Sequence, residues 1–151
     1  MLSASPGESL KPLEKVASGG EMSRIMLAFK AIAANADSIP TLIFDEIDTG
    51  ISGHIAAVVG EKMVSIADNH QVLCVTHLPQ IAALADVHFM VQKQDDGQTT
   101  RTSLKRLEME ERYEYIARMM SGMEDSKLAY EHARELITHS EEIKQKRRKN
   151  K

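Results

Sequence analysis

Residues 41–46 read Thr41-Leu42-Ile43-Phe44-Asp45-Glu46, a short apolar run that ends in two adjacent acids. Continuous rather than alternating hydrophobicity is the pattern of a strand covered on both faces, as in a parallel sheet. The two acids then fall at the C-terminal end of the strand, the edge where open α/β sheets take their ligands. Successive side chains of a strand point to opposite faces, so Asp45 and Glu46 are expected to do different work. One carboxylate suits a hard cation such as Mg²⁺, which takes oxygen ligands. The other can polarise a water molecule. The same two residues would also serve as a plain polar strand end leading into a loop.

Working outward, Val72-Leu73-Cys74-Val75-Thr76 repeats the pattern and predicts a second buried strand with His77 at its end. Between the two strands, Thr49 to Gly53 is rich in turn residues and offers Ser52 as a helix N-cap. Ile55, Val58, Val59, Met63 and Ile66 then fall on one helical stripe. Upstream, Met22, Ile25, Met26, Phe29, Ile32 and Ala33 recur at three- and four-residue steps, which predicts a helix from Glu21 that breaks at Asp37 to Pro40. Residues 1–4 read as the end of a strand. Ser5 to Lys15, with Pro6, Gly7 and Pro12, reads as a loop. Helix and strand alternate, so the fold class is α/β, a partly parallel sheet flanked by helices. A short helix is expected over Leu78 to Ala85. Beyond it, Val87 to Lys93 and Thr99 to Leu107 flank Gln94-Asp95-Asp96-Gly97-Gln98, an antiparallel β-hairpin with Asp-Gly in its turn. Two C-terminal helices follow, near 108–121 and 125–146, parted by Ser121-Gly122.

The chain has 151 residues, 42% hydrophobic and 27% charged. That is enough for one domain with a core of its own, burying about 70% of the unfolded surface. These values exclude wholesale disorder, a collagen-like repeat and a disulfide scaffold. The single cysteine, Cys74, has no internal partner and fits a reducing compartment. No apolar run approaches the ~18 residues of a membrane span. Met1 to Glu14 lacks the features of a secretory signal. A soluble cytoplasmic protein with no membrane partner is therefore expected. The net charge of −3 conceals an asymmetry: residues 144–151 carry six bases and no acid, while the rest holds 13 bases against 22 acids. The organisation expected is a folded lobe over 1–143 and a basic tail over 144–151. Such a tail can touch nucleic acid, or it can be a solvated helix end. Without Trp, and with six aromatic residues in all, a base-stacking surface for single strands is not expected.

Two further constellations join the acid pair. Ser18-Gly19-Gly20-Glu21 stands immediately before a predicted helix. Two glycines allow close backbone approach, and a helix N-terminus offers free N–H groups and a positive dipole end, so the stretch suits an anion such as phosphate. It is also a common helix-start sequence. Thr76-His77 places an imidazole at the second strand end, where the neutral ring can donate to a phosphate oxygen or hold a water. A lone histidine at a strand end is also commonly structural. What strengthens these signals is that the anion loop, the acid pair and the histidine follow in order and converge on one sheet edge. His70, Cys74, His77 and His88 lack the spacing of a zinc knuckle. His132 and His139, two helical turns apart, fit a packed or solvated helix face.

This order resembles the C-terminal half of an ABC-type ATPase head, a P-loop NTPase fold. Ala17-Ser18-Gly19-Gly20-Glu21 resembles the signature motif, Leu42 to Glu46 the Walker B strand with its glutamate, and Thr76-His77 the switch histidine. More closely, Lys15 to Arg24, Phe44 to Gly53, Val75 to Ala82 and the helix carrying His132-Ala133-Arg134-Glu135 resemble the bacterial RecN family within the SMC-like group. The resemblance covers about Ser5 to Ile137. It implies that Asp45 helps hold Mg²⁺, that Glu46 is the general base and that His77 meets the γ-phosphate of ATP. It also implies that Ser18, Gly19, Gly20 and Glu21 bind the ATP of an opposing head, and that Asp48 belongs to a D-loop at the interface of a head homodimer. The Asp48 to Gly53 stretch departs from the Ser-Ala-Leu-Asp form of transporters.

No Gly-x-x-x-x-Gly-Lys-[Ser/Thr] occurs in the chain, so nothing in it cradles the α- and β-phosphates. The Walker A lobe and the coiled coil of the family are absent. The expectation is a fragment that needs the N-terminal Walker A lobe as a partner and is inactive alone. In the intact protein it would act with ATP, Mg²⁺ and DNA in recombinational repair of double-strand breaks, near the nucleoid. Readings of another class are an SMC-like structural clamp, or a DNA-binding module run by the basic tail, in which hydrolysis is incidental.

Overall fold

A computed structural model describes residues 9, 12, 17–33, 39–95, 99–123 and 126–149. The expected strand end at 1–4, nearly all of the loop at 5–15, residues 37 and 38 of the helix break and the hairpin turn at 96–98 lie outside the described residues. The chain divides into two compact units, Met1–His77 and Leu78–Lys151.

In the first unit, α1 (Gly19–Ala33), β1 (Thr41–Phe44), α2 (Gly53–Ala67) and β2 (Gln71–Cys74) follow in order. β1 and β2 pair in parallel, from Thr41 opposite Gln71 to Phe44 opposite Cys74. Helix α2 forms the crossover and packs on β2 and α1. Its buried residues Ala56, Val59, Gly60, Met63 and Ile66 lie on one face, against a core that includes Leu27, Leu42, Phe44 and Ile47. β2 ends two residues earlier than expected, yet the Val75 N–H still donates to the Phe44 carbonyl at 3.0 Å, so the ladder reaches the strand ends.

Burial corrects one expectation and qualifies two helical stripes. The strands are covered on one face only: Leu42 and Phe44 are buried, whereas Ile43 is 70% exposed and Leu73 and Val75 are also exposed. Two strands with α2 against them supply one layer of cover. The α1 stripe is largely bare too, with Leu27 buried but Met26, Phe29 and Ile32 exposed, Ile32 at 86%. On α2, Ile55 and Val58 face outward. Ser52 does occupy the N-cap position of α2 in extended conformation, but its hydroxyl makes no capping bond; its carbonyl accepts from the Ala56 N–H at 2.9 Å.

The second unit holds α3 (Pro79–Ala82), β3 (Phe89–Asp95), β4 (Thr100–Arg106), α4 (Met109–Ser121) and α5 (Lys127–Lys149). β3 and β4 form the antiparallel hairpin, from Phe89 opposite Arg106 to Asp95 opposite Thr100. The core joins Ala82 and Ala83 to Ile116 and Ala117 of α4 and to Ala133 and Ile137 of α5. Helix α3 is shorter than the expected 78–85. Its end is held from outside: Ser140 Oγ donates to the Ala83 carbonyl at 2.9 Å and Arg112 Nη2 to the Ala85 carbonyl at 2.8 Å. These bonds satisfy carbonyls that a helix end leaves without partners. Helix α4 opens with Glu111 accepting from the Glu108 N–H at 3.0 Å and closes on Gly122 in the left-handed region, φ +67°.

Helix α5 runs without a break from Lys127 to Lys149, through the described part of the basic stretch. Its buried positions Ala133, Ile137, Ser140 and Lys144 follow a four-three-four spacing, one stripe of a helix. Lys144 is only 5% exposed, and its ammonium bonds Asp86 at 3.0 Å and Glu141 at 2.6 Å. Lys146, Arg148 and Lys149 are exposed. Among the described residues, no helix is long and apolar enough to cross a membrane.

Candidate functional site at the parallel strand ends

β1 delivers Asp45 and Glu46 to the surface at its C-terminal end. Asp45 Oδ1 accepts from the Glu46 N–H at 2.9 Å, which orients the carboxylate. Glu46 has φ +57°, a left-handed conformation uncommon for a residue with a Cβ. It starts a tight turn in which the Thr49 N–H donates back to the Glu46 carbonyl at 3.1 Å.

The start of α1 docks on that turn. Ser23 Oγ donates to the Asp45 carbonyl at 2.8 Å. Arg24 Nη1 donates to the carbonyls of Ile47 at 3.1 Å and Thr49 at 2.9 Å. Gly20 is buried where a Cβ would meet the Glu46 carbonyl at 2.8 Å and the Thr49 carbonyl at 3.1 Å. Glycine is required there by close approach of backbone to backbone. At Gly19 a Cβ would run into Glu46 Oε2, so the glutamate carboxylate lies directly over the first helical residue.

Gly19, Gly20 and Glu21 form the first turn of α1 rather than a loop before it. The reason is a capping box: Glu21 Oε2 accepts from the Ser18 N–H at 2.8 Å and from its hydroxyl at 3.1 Å, and the Glu21 N–H approaches Ser18 Oγ at 3.4 Å. The backbone bond from Ser18, then the hydroxyl bond, hold the Glu21 carboxyl below its usual range. The serine donors are thus engaged by a carboxylate of the chain itself.

Asp48 faces inward, 3% exposed. Its Oδ2 accepts two bonds, from Thr76 Oγ1 at 2.5 Å and the His77 N–H at 2.8 Å, and His77 Nδ1 lies 3.0 Å from the same oxygen. Burial pushes the Asp48 carboxyl up, but the bonds from Thr76 and the His77 N–H, with the charge of the His77 ring and a local backbone bond, outweigh it, so the group stays below its ordinary value. Burial, with Asp48 and Asp45 adding to it, raises the Cys74 thiol to about 12, which keeps it protonated and unreactive.

The first unit therefore gathers Ser18, Gly19, Gly20, Glu21, Asp45, Glu46, Asp48 and His77. No protein-family model matches the chain. Curated relatives do. The DNA repair protein RecN of Halalkalibacterium halodurans is 50% identical over 143 residues, 95% of this chain and 25% of that protein. RecN of Bacillus subtilis is 46% identical over 145 residues, and RecN of Deinococcus radiodurans 51% over 135 residues. Over nearly its whole length the chain is thus similar to part of the RecN proteins. It spans about a quarter of the length of the RecN proteins that it matches. A solved structure from work on ATP-driven dimerisation and DNA-stimulated activation of SMC ATPases matches with TM-score 0.53 at 23% identity. The match covers 76% of this chain and 68% of that one, a likeness of fold.

Three features of this candidate site escape sequence reading. Ser23 and Arg24 clasp the turn after β1, and the only trace of this in the sequence is that Arg24 lies one helical turn beyond Gly20. The left-handed φ of Glu46 has no compositional sign. The inward turn of Asp48 follows from tertiary pairing with Thr76 and His77. Among the described residues, no group of three or more His, Cys, Asp or Glu is gathered to hold a metal. The exposed carboxylate of Asp45 is an oxygen donor of the kind Mg²⁺ accepts, and Mg²⁺ commonly binds through one or two carboxylates together with waters and substrate phosphates.

Proposed function

We propose that this chain is the signature and Walker B lobe of a RecN-type ATPase head, one half of a split site for ATP and Mg²⁺. The observation that carries the reading is the docking of the α1 start on the turn after β1 through Ser23, Arg24 and Gly20, which unites the stretches resembling the signature, Walker B and D-loop motifs in one unit. In this reading Asp45 binds Mg²⁺, Glu46 orients and deprotonates the attacking water, and His77 meets the transferred phosphoryl group. Ser18, Gly19, Gly20 and Glu21 address the ATP of a second head in a homodimer, with Asp48 in the D-loop between them. The setting suggested by the RecN relatives is recombinational repair of DNA double-strand breaks, in the cytoplasm at the nucleoid.

Charge supports the need for a partner lobe. Glu21, Asp45, Glu46 and Asp48 stand against Arg24, whose guanidinium is engaged by two carbonyls. A triphosphate meets net negative charge here unless Mg²⁺ and the cations of the Walker A lobe accompany it. The chain alone should therefore neither hold nor turn over ATP.

The test is ATP turnover by this chain mixed with the separately made Walker A lobe, beside each part alone and beside Glu46→Gln. Turnover confined to the mixture and reduced about 10²–10⁴-fold by Glu46→Gln, with nucleotide binding kept, is the expected result. Associated lobes that bind ATP without turnover would replace this reading with a structural clamp.

A further inference from the structure

The geometry points to a distinct role for Asp48: we propose that it is a positioning residue that holds His77 as the Nδ1–H tautomer and turns Nε2 outward to the ligand. Asp48 is buried, and its Oδ2 lies 3.0 Å from His77 Nδ1 while also accepting from the His77 backbone N–H and the Thr76 hydroxyl. A carboxylate oxygen only accepts, so Nδ1 must carry the hydrogen. The backbone bond grips the same residue at a second point, and the Thr76 bond fixes the carboxylate. The ring itself is 70% exposed, so Nε2 is the nitrogen offered to solvent.

The consequence for ligand chemistry is specific. With the single ring hydrogen of the neutral form spent on Asp48, Nε2 presents a lone pair. The neutral ring accepts a hydrogen bond from a water or hydroxyl, and it repels a bare phosphate oxygen. Only the imidazolium, with hydrogens on both nitrogens, donates to a phosphoryl oxygen, and the Asp48 carboxylate is placed to compensate its charge. This revises the expectation from sequence that a neutral His77 donates to phosphate. The phosphoryl role of His77 rests on the proposed ATPase reading; the tautomer does not.

The experiment is a long-range ¹H–¹⁵N correlation spectrum of the 151-residue chain at a pH where the His77 ring is neutral, with the signal assigned by its loss in His77→Gln. The expected result is the Nδ1–H pattern in the unaltered chain and in Thr76→Val, and a change towards the Nε2–H form favoured by free imidazole in Asp48→Ala. An Nε2–H pattern in the unaltered chain overturns the proposal whether or not the variants fold, and so does a pattern that Asp48→Ala leaves unchanged. In the assembled head, Asp48→Ala should lower turnover roughly 10–100-fold at unchanged nucleotide affinity, the range of a group that orients another. A lost tautomer with unchanged turnover would count against the ATPase role of His77 and leave its positioning by Asp48 standing.

Discussion

Gly19 and Gly20 are neighbours in sequence with opposite reasons for lacking a side chain. A Cβ at Gly19 meets the far end of a flexible glutamate, which can swing away. At Gly20 it meets two backbone carbonyls and the Arg24 guanidinium, which cannot. Gly20→Ala should therefore cost about 1–3 kcal/mol of stability, the scale of overpacking, and Gly19→Ala markedly less. Urea midpoints of the two variants check the difference. Asp48 gives a second prediction, in pH. Its carboxyl is held below its ordinary value in the folded chain. The stabilisation is then complete above that ordinary value and is lost as pH falls through the lower, folded one. Asp48→Asn should destabilise the chain at pH 7 and approach the unaltered protein in acid, as read by urea unfolding at pH 7 and pH 3. Equal differences at the two pH values would show that the charge of Asp48 contributes nothing.

Helix α5 shows how burial chooses among polar residues. Lys144 sits in line with Ala133 and Ile137, its stem covered and its ammonium turned to the partly exposed acids Asp86 and Glu141. The stem, more than the charge, should carry the stability. Lys144→Met is expected to stay within about 1 kcal/mol of the original, and Lys144→Ala to cost about 1–3 kcal/mol. Ile116→Ala, at a position 0% exposed, sets the upper scale at about 2–5 kcal/mol. Thermal unfolding of the three variants ranks them. Element type was legible: the strands at Leu42 and Val72 lie where short continuous apolar runs put them, and the hairpin and both C-terminal helices lie where they were expected. Element ends were not. The start of α1 moved to Gly19 because Glu21 folds back on Ser18, and α3 stops at Ala82. Burial was legible only in part, since an apolar stripe such as Met26, Phe29 and Ile32 records a preference for cover and not its presence.

For the whole molecule, both sheets leave apolar side chains open. Ile43, Leu73 and Val75 belong to the parallel pair, while Phe89, Val91 and Leu104 share one face of the hairpin. Surfaces of this composition are commonly buried against further chain or another molecule. The site was legible as a set, because Ser18 to Glu21, Asp45, Glu46 and Thr76-His77 stand in a recognisable order. Their mutual bonds were not, because pairings such as Asp48 with Thr76 exist only once the two strands lie side by side. The exposed bases at the end of α5 carry a prediction of their own. For DNA held there, replacing Lys146, Arg148 and Lys149 with Gln should lower the slope of log affinity against log salt by about 3, one unit per phosphate contact. Fluorescence anisotropy with a short duplex measures it, and an unchanged slope places DNA contact elsewhere.

Arg24 has a mechanical consequence. One guanidinium nitrogen grips the carbonyls of Ile47 and Thr49, so helix and turn move as a single rigid part. A pull on the first turn of α1 drags the backbone beside Glu46 with it, without first bending the sheet. Force applied at Ser18 is thus delivered to the acidic strand end through a short lever, and replacing Arg24 would leave that lever held by the Ser23 bond and the Gly20 contact alone.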